Sequence, residues 1–281
     1  MQERRYAHRG GSGLPVFRLR NWGLSDPASA LGAHMLVTSE DALQKLPTKD
    51  GFRLRGMNMT RTETFTDAAF AFALTLLVVS IDSIPSTYEE LLFAVQGVPA
   101  FGLSCALLFL FWHGHWNWSR RYGLEDFASM VLSFFLVFVM LCYIYPMKYV
   151  TSIFVVWITD RRLEVGADIS SMDELYGIFT IYSIGFVALC IAVLLLYLHA
   201  WLRRNELQLN TVERHLTRSE IGSWMILSGV GVLAILMGLF APHHPLTVPG
   251  WAYMLLPVVM PVWGVVRGRQ YERLRRESRE S

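Results

Sequence analysis

From residue 63 onward, long apolar runs alternate with short polar breaks. The runs fall at roughly 64–84, 92–118, 126–146, 175–201, 221–241 and 251–267, each near the length of about 20 apolar residues that lets a helix cross a bilayer. Lipid offers no partner to an unpaired backbone N–H or C=O, so helix is the only conformation open to such segments. The breaks carry turn and cap signals at Asp82 to Pro85, Gly123 to Asp126, Ser171 to Glu174 and Pro242 to Pro249. Ser171 and Glu174 have the spacing of a capping box. In the longest connection, 147–173, the apolar stretch Tyr149 to Thr159 is too short to span. It is expected to lie on the bilayer surface or pack on the bundle. Pro257 and Pro261 are expected to break the last helix. The pattern predicts an all-α membrane protein with six transmembrane helices.

Composition agrees. Of the 281 residues, 53% are hydrophobic and 17% charged, and the mean hydropathy is +0.35. A soluble domain carries about 25% charged residues. Disorder, collagen, coiled coil and a disulfide-stapled module are excluded as the main class; the three cysteines, Cys105, Cys142 and Cys190, each sit inside an apolar run.

The distribution of charge says more than its sum. If both termini are cytoplasmic, all but three of the 25 Lys and Arg residues lie on the inner side, the exceptions being Lys148, Arg161 and Arg162. That bias holds loop by loop, requires an even number of spans and favours six over four or eight. Residues 1–56 are polar, glycine-rich and basic, and are expected to form a disordered N-terminal tail. Met57 and Met59 offer a second start, and a transit peptide is a third reading of the same segment. Residues 57–270 make the six-helix domain, and 271–281 a basic C-terminal tail that continues the last helix toward anionic lipid.

Chemistry concentrates at the start of helix one. Asp67 lies about one turn into a membrane segment, where an ionisable group is costly and points to function with a nearby partner. An interfacial carboxylate reaching back to water is the plainer alternative. Helix two runs antiparallel and ends with Trp112, His113, His115, Trp116 and Trp118 before Arg120. At 1.5 Å per residue, Asp67 lies about 9 Å past Arg61 and His115 about 7.5 Å before Arg120, so the two share a depth. An aromatic belt accounts for Trp116 and Trp118 but not for His115. At 100° per residue, Phe72, Leu76 and Val79 lie about 140°, 180° and 120° from Asp67 and make one apolar stripe, bordered by Thr75. On periodicity alone such a stripe is commonly helix packing or lipid contact.

The pattern R-x-x-x-F-S-D-x-x-x-A-I-x-x-T-L-L on helix one, followed by W-x-x-H-H on helix two, resembles the transmembrane protein 175 potassium channels. Asp67, Ala71, Thr75, Leu76, Leu77 and Phe65 match, Arg61 stands six before the aspartate, and Trp112 and His115 fit W-x-x-H. The resemblance covers residues 57–270 by segment number and orientation, with specific motifs only on the first two helices. Thr66 replaces the family's serine, Trp116 its second histidine, and Phe72 the isoleucine or leucine of its constriction.

The resemblance implies a one-repeat, prokaryotic-type member: a homotetramer in the plasma membrane whose pore is lined by helix one around potassium ions. Phe72, Thr75, Leu76 and Val79 would line that pore. Arg61, Phe65, Thr66, Asp67, Trp112 and His115 would form the network that holds helix one in place without touching the ion. No T-V-G-Y-G loop occurs, so an apolar ring would discriminate through the cost of stripping water from the ion, with a modest preference for potassium. No regular arginine series suggests a voltage sensor.

Other readings rank lower. A non-conducting scaffold or sensor closed by Phe72 is one alternative, and a proton-coupled transporter using Asp67 and His115 is another. His113 and His115 do not share a helix face, and His243–His244 lacks metal-site spacing, so neither a metal nor a cofactor is expected. His199 and Tyr197 are a candidate proton relay or interfacial residues. No nucleophile–base pair, Walker loop or Rossmann fingerprint supports an enzyme, and no nucleic-acid partner is expected.

Overall fold

The computed structural model describes residues 43–79, 85–159, 171–240 and 249–280, with Val79 and 277–280 by backbone alone. The chain divides into two compact units, Met1–Lys45 and Leu46–Ser281, and the second carries the membrane helices. It opens with a small antiparallel hairpin, β1 (Thr48–Lys49) and β2 (Phe52–Arg53), paired Thr48 to Arg53 and Lys49 to Phe52. Eight helices follow among the described residues: α1 (Arg61–Val79), α2 (Tyr88–Gln96), α3 (Val98–Tyr122), α4 (Phe127–Ile158), α5 (Met172–Leu202), α6 (Thr211–Phe240), α7 (Gly250–Tyr253) and α8 (Leu256–Glu280).

Five stretches are long and apolar enough to cross a membrane: α2 with α3, α4, α5, α6, and α7 with α8. The 19 residues of α1 make the sixth segment, about 28 Å long at 1.5 Å per residue. Helix starts follow the cap chemistry. Ser171 Oγ accepts from Glu174 N at 3.2 Å, the N-cap bond of the predicted capping box. Asp126 Oδ1 accepts from Ser129 N at 2.8 Å, and Gly123 closes α3 in the left-handed region at φ 58°. The predicted second span is two helices. Thr87 caps α2, Gly97 ends it, and Pro99 opens α3, where the missing N–H costs nothing.

Two expectations need correction. The stretch Tyr149 to Thr159 does not lie apart from the third span. The helix runs through Pro146 to Ile158. Its extension is held by burial of Val150, Thr151, Ser152 and Val155, and Thr151 shares a 2.7 Å hydrogen bond with Ser104 of α3. In the last helix Pro257 sits in the first turn of α8 and Pro261 stays inside it, so the interruption falls at Met254–Leu255. The basic C-terminal stretch continues α8 as helix to Glu280, in the manner expected of it.

The core centres on α5, which packs on α4, α6 and α3 and buries Leu189, Cys190, Val193, Leu196 and Tyr197. Between helices in lipid, close packing is the main source of association, and small residues permit it. A Cβ at Gly114 would overlap Trp224, one at Gly185 would overlap Tyr143, and one at Gly222 would overlap Trp263.

The expected disordered tail 1–56 ends too late. Residues 1–42 lie outside the described residues, but Leu46–Gly56 belong to the helical unit. The N–H groups of Arg55 and Gly56 donate to the Arg121 and Arg120 carbonyls at 3.4 and 3.1 Å. Those carbonyls end α3 and have no partner within it. Arg53 and Arg55, two apart on an extended segment, both face Glu213 at the start of α6. Its carboxylate accepts six hydrogen bonds of 2.7 to 3.1 Å from Arg53, Arg55 and Asn210 N. Asn210 Oδ1 returns the bond from Glu213 N at 2.8 Å. Sequence patterning misses this clasp because two basic residues in a polar tail carry no periodic signal.

Candidate functional site

Helix α1 has two unlike sides. Glu63, Thr66, Phe70, Ala73 and Leu77 are buried, at alternating spacings of three and four that put them on one stripe. That stripe packs on α3 and α4. The opposite side carries Phe65, Ala68, Phe72 and Thr75, all exposed in the single chain. Phe72 is 55% exposed and Phe65 53%. Leu76 stands at the margin, half-buried and packed on the core. The side chain of Val79 lies outside the described residues. Thr75 Oγ1 donates back to the Ala71 carbonyl at 3.2 Å, so this hydroxyl already spends its proton within the helix.

The expected network is present in part. Trp112 Nε1 donates to Asp67 Oδ1 at 2.8 Å, joining α3 to α1. His115 is buried, and its Nε2 shares a 3.0 Å hydrogen bond with Ser133 Oγ of α4 instead of bonding to Asp67. The two residues therefore brace α1 and α4 separately. Thr66 is fully buried, and its hydroxyl has no hydrogen-bond partner among the described residues. Arg61 is exposed at the helix start, and Phe65 points away from the bundle.

The ion pair at this level is one the sequence did not single out. Glu63 is 1% exposed, and its Oε1 lies 3.4 Å from Arg120 Nε. The same guanidinium donates to the Gly56 and Met57 carbonyls at 3.1 and 3.2 Å, so Arg120 ties the chain leading into α1 to α1 itself. Thr60 Oγ1 caps the helix by accepting from Glu63 N at 3.0 Å. The Thr60-x-x-Glu63 spacing was the available signal, because a capping box leaves its acid near the helix start.

The aromatic-belt account fails for Trp118. Its ring is buried, and Nε1 donates to the Leu196 carbonyl of α5 at 2.8 Å. Tyr197 is not interfacial either: it is buried and donates to the Gly114 carbonyl at 3.2 Å. His199 Nε2 lies 2.8 Å from Asp126 Oδ2. Burial works to raise the Asp126 carboxyl, but bonds from Ser129 and His199 outweigh it and hold the group below its ordinary range. His243 and His244 lie outside the described residues. Among the described residues no group of three or more His, Cys, Asp or Glu could hold a metal ion.

Comparison with known proteins places this geometry. The family model of the endosomal/lysosomal potassium channel TMEM175 matches residues 61–146, which run from α1 well into α4. A potassium channel of Marivirga tractuosa is 31% identical over 231 residues, 79% of this chain and 93% of that protein. A crystal structure of a variant of the potassium channel MtTMEM175, bound to a nanobody–MBP fusion protein, resembles the fold with a TM-score of 0.69. The identity there is 30%, over 80% of this chain and all of that one.

Proposed function

Because the chain belongs to the TMEM175 potassium-channel family, we propose that it is a potassium-permeable channel, with α1 of four identical subunits around a central pore in the plasma membrane. The observation that carries the reading is the exposed side of α1. Phe65, Ala68, Phe72 and Thr75 are exposed among the described residues, while the other side is anchored to α3 and α4. Four such helices would bring Phe72 together as the narrowest apolar ring, with Thr75 one turn deeper and Leu76 and Val79 at its margins. An apolar ring passes ions only when wetted, and it favours the cation that gives up water more readily, which is potassium over sodium. Asp67 with Trp112 acts as the brace that fixes the angle of α1, and His115 with Ser133 holds α3 against α4.

Ion flux into liposomes containing the purified chain tests this. Potassium flux should exceed sodium flux, and Phe72→Ala should raise flux while narrowing the difference between the ions. Unchanged flux in both Phe72→Ala and Leu76→Ala would remove those residues from the constriction. No flux under either gradient would favour the non-conducting scaffold, the second reading, which the bulk of Phe72 supports. Saturable, pH-dependent flux would favour a proton-coupled transporter.

A further inference from the structure

The arginine-rich end of the bundle holds cations that no carboxylate neutralises. Four acids there are committed: Glu213 to Arg53 and Arg55, Glu220 to Arg121, Glu206 to Arg203, and Asp126 to His199 and Arg203. Among the described residues, no acid lies within ion-pairing distance of Arg204, Arg218 or Arg267.

These three stand on two tryptophans. The guanidinium carbons of Arg204 and Arg218 lie 5.0 and 4.7 Å from the centre of the Trp201 ring. That of Arg267 lies 4.8 Å from the Trp263 ring. Trp263 Nε1 donates to the Ser219 carbonyl and Ser223 Oγ at 3.3 and 3.1 Å, which places α8 beside Arg218. Arg218 is exposed and within electrostatic reach of Arg267. Arg204 Nη1 is used on the Trp201 carbonyl and Arg267 Nη1 on Gln270. Arg267 Nε, however, is buried without an acceptor among the described residues. A buried donor with no acceptor, in a group of like charges, is a costly arrangement until an anion fills it.

The position selects the anion. Trp201 and Trp263 stand where the apolar parts of α5 and α8 end, the depth at which tryptophans meet lipid headgroups. Guanidinium is weakly hydrated and matches phosphate oxygens in paired hydrogen bonds. We propose that Arg204, Arg218 and Arg267 form a binding site for the phosphate of an anionic phospholipid, seated between α5, α6 and α8. Basic pockets between transmembrane helices suit such headgroups. The site does not depend on conduction, since none of its residues lies on α1.

Thermal unfolding of the full chain in detergent tests it, with phosphatidylglycerol, phosphatidylcholine or inorganic phosphate added separately. Phosphatidylglycerol should raise the midpoint and the other two should not. In the Arg204→Gln/Arg218→Gln variant the lipid concentration giving half the shift should rise about 25-fold, at about fivefold per arginine. This pair leaves the Trp263 and His215 contacts of α8 untouched. An equal response of variant and native chain would overturn the proposal, as would equal stabilisation by phosphatidylcholine. Inorganic phosphate as effective as the lipid would make it a free-anion site and overturn the lipid assignment.

Discussion

Glu213 and Glu63 are both acids buried near the arginine-rich end, 0% and 1% exposed, yet their surroundings differ. Glu213 accepts six hydrogen bonds and pairs with two arginines. Among the described residues Glu63 has one guanidinium at 3.4 Å, and neither of its oxygens accepts a hydrogen bond. Thr66, one turn on, has an unpaired buried hydroxyl as well. Around Glu213 a single chain satisfies itself. Along α1 it leaves polar atoms unpaired on one side and large apolar side chains uncovered on the other. The clasp of hairpin, α3 and α6 is therefore architecture that one chain completes, and α1 is the element that one chain leaves open.

The contrast can be broken from the clasp side first. Glu213→Ala strands Arg53 and Arg55 and should cost about 3–5 kcal/mol, the range for breaking a buried ion pair. Denaturation of the purified chain measures this, and a loss under about 1 kcal/mol would mean that the two arginines find water instead. Gly56→Ala comes next. The new Cβ would overlap the Ser119 carbonyl oxygen at the end of α3, and the forced shift should cost about 1–3 kcal/mol. Preserved stability in that variant would mean that the hairpin does not need its seat on α3.

Asp67→Asn should cost about 1 kcal/mol, because an amide oxygen still accepts from Trp112 but without the charge. It should lower the fraction of the proposed tetramer on native electrophoresis, and an unchanged oligomer would count against a bracing role. The pH dependence near Asp126 is smaller. Its carboxyl lies below the usual range in the folded chain, so its stabilisation is present at neutral pH. That stabilisation is lost as pH falls past the ordinary aspartate value of about 4. The Asp126→Asn variant should show a flatter acid limb in a midpoint-against-pH series. Phe72→Ala should change stability least, by under about 1 kcal/mol, because the ring is uncovered. It should nevertheless produce the largest change in ion flux, and that separation of stability from flux sharpens the comparison most.

Much of the fold was legible in the chain. The number of apolar segments and the turns at Gly123 to Asp126 and Ser171 to Glu174 follow from local rules, while Trp112 entered as a partner of Asp67 only through the resemblance. Periodicity separates the two sides of α1: Phe72 and Thr75 are exposed, and Leu76 is half-buried at the margin against the core. It cannot choose partners. His115 stands at the right depth for Asp67 but faces Ser133, because rotation about the axis of α3 decides the contact and a depth estimate carries no rotation. The extension of α4 past Pro146 was hidden for a related reason. A proline signals a break, and only the packing of Thr151 on Ser104 shows that the helix continues.

What the sequence determined by itself is the class of molecule: six apolar helices, their polar ends, and a motif on α1 and α3 whose residue types do not fit lipid. Those properties follow from local composition and from the helical period. Which buried charges are satisfied was decided only in three dimensions. Arg53 and Glu213 are 160 residues apart, and Glu63 meets Arg120 across two helices. Electrostatic pairing depends on distance through space, and a one-dimensional pattern does not contain that distance.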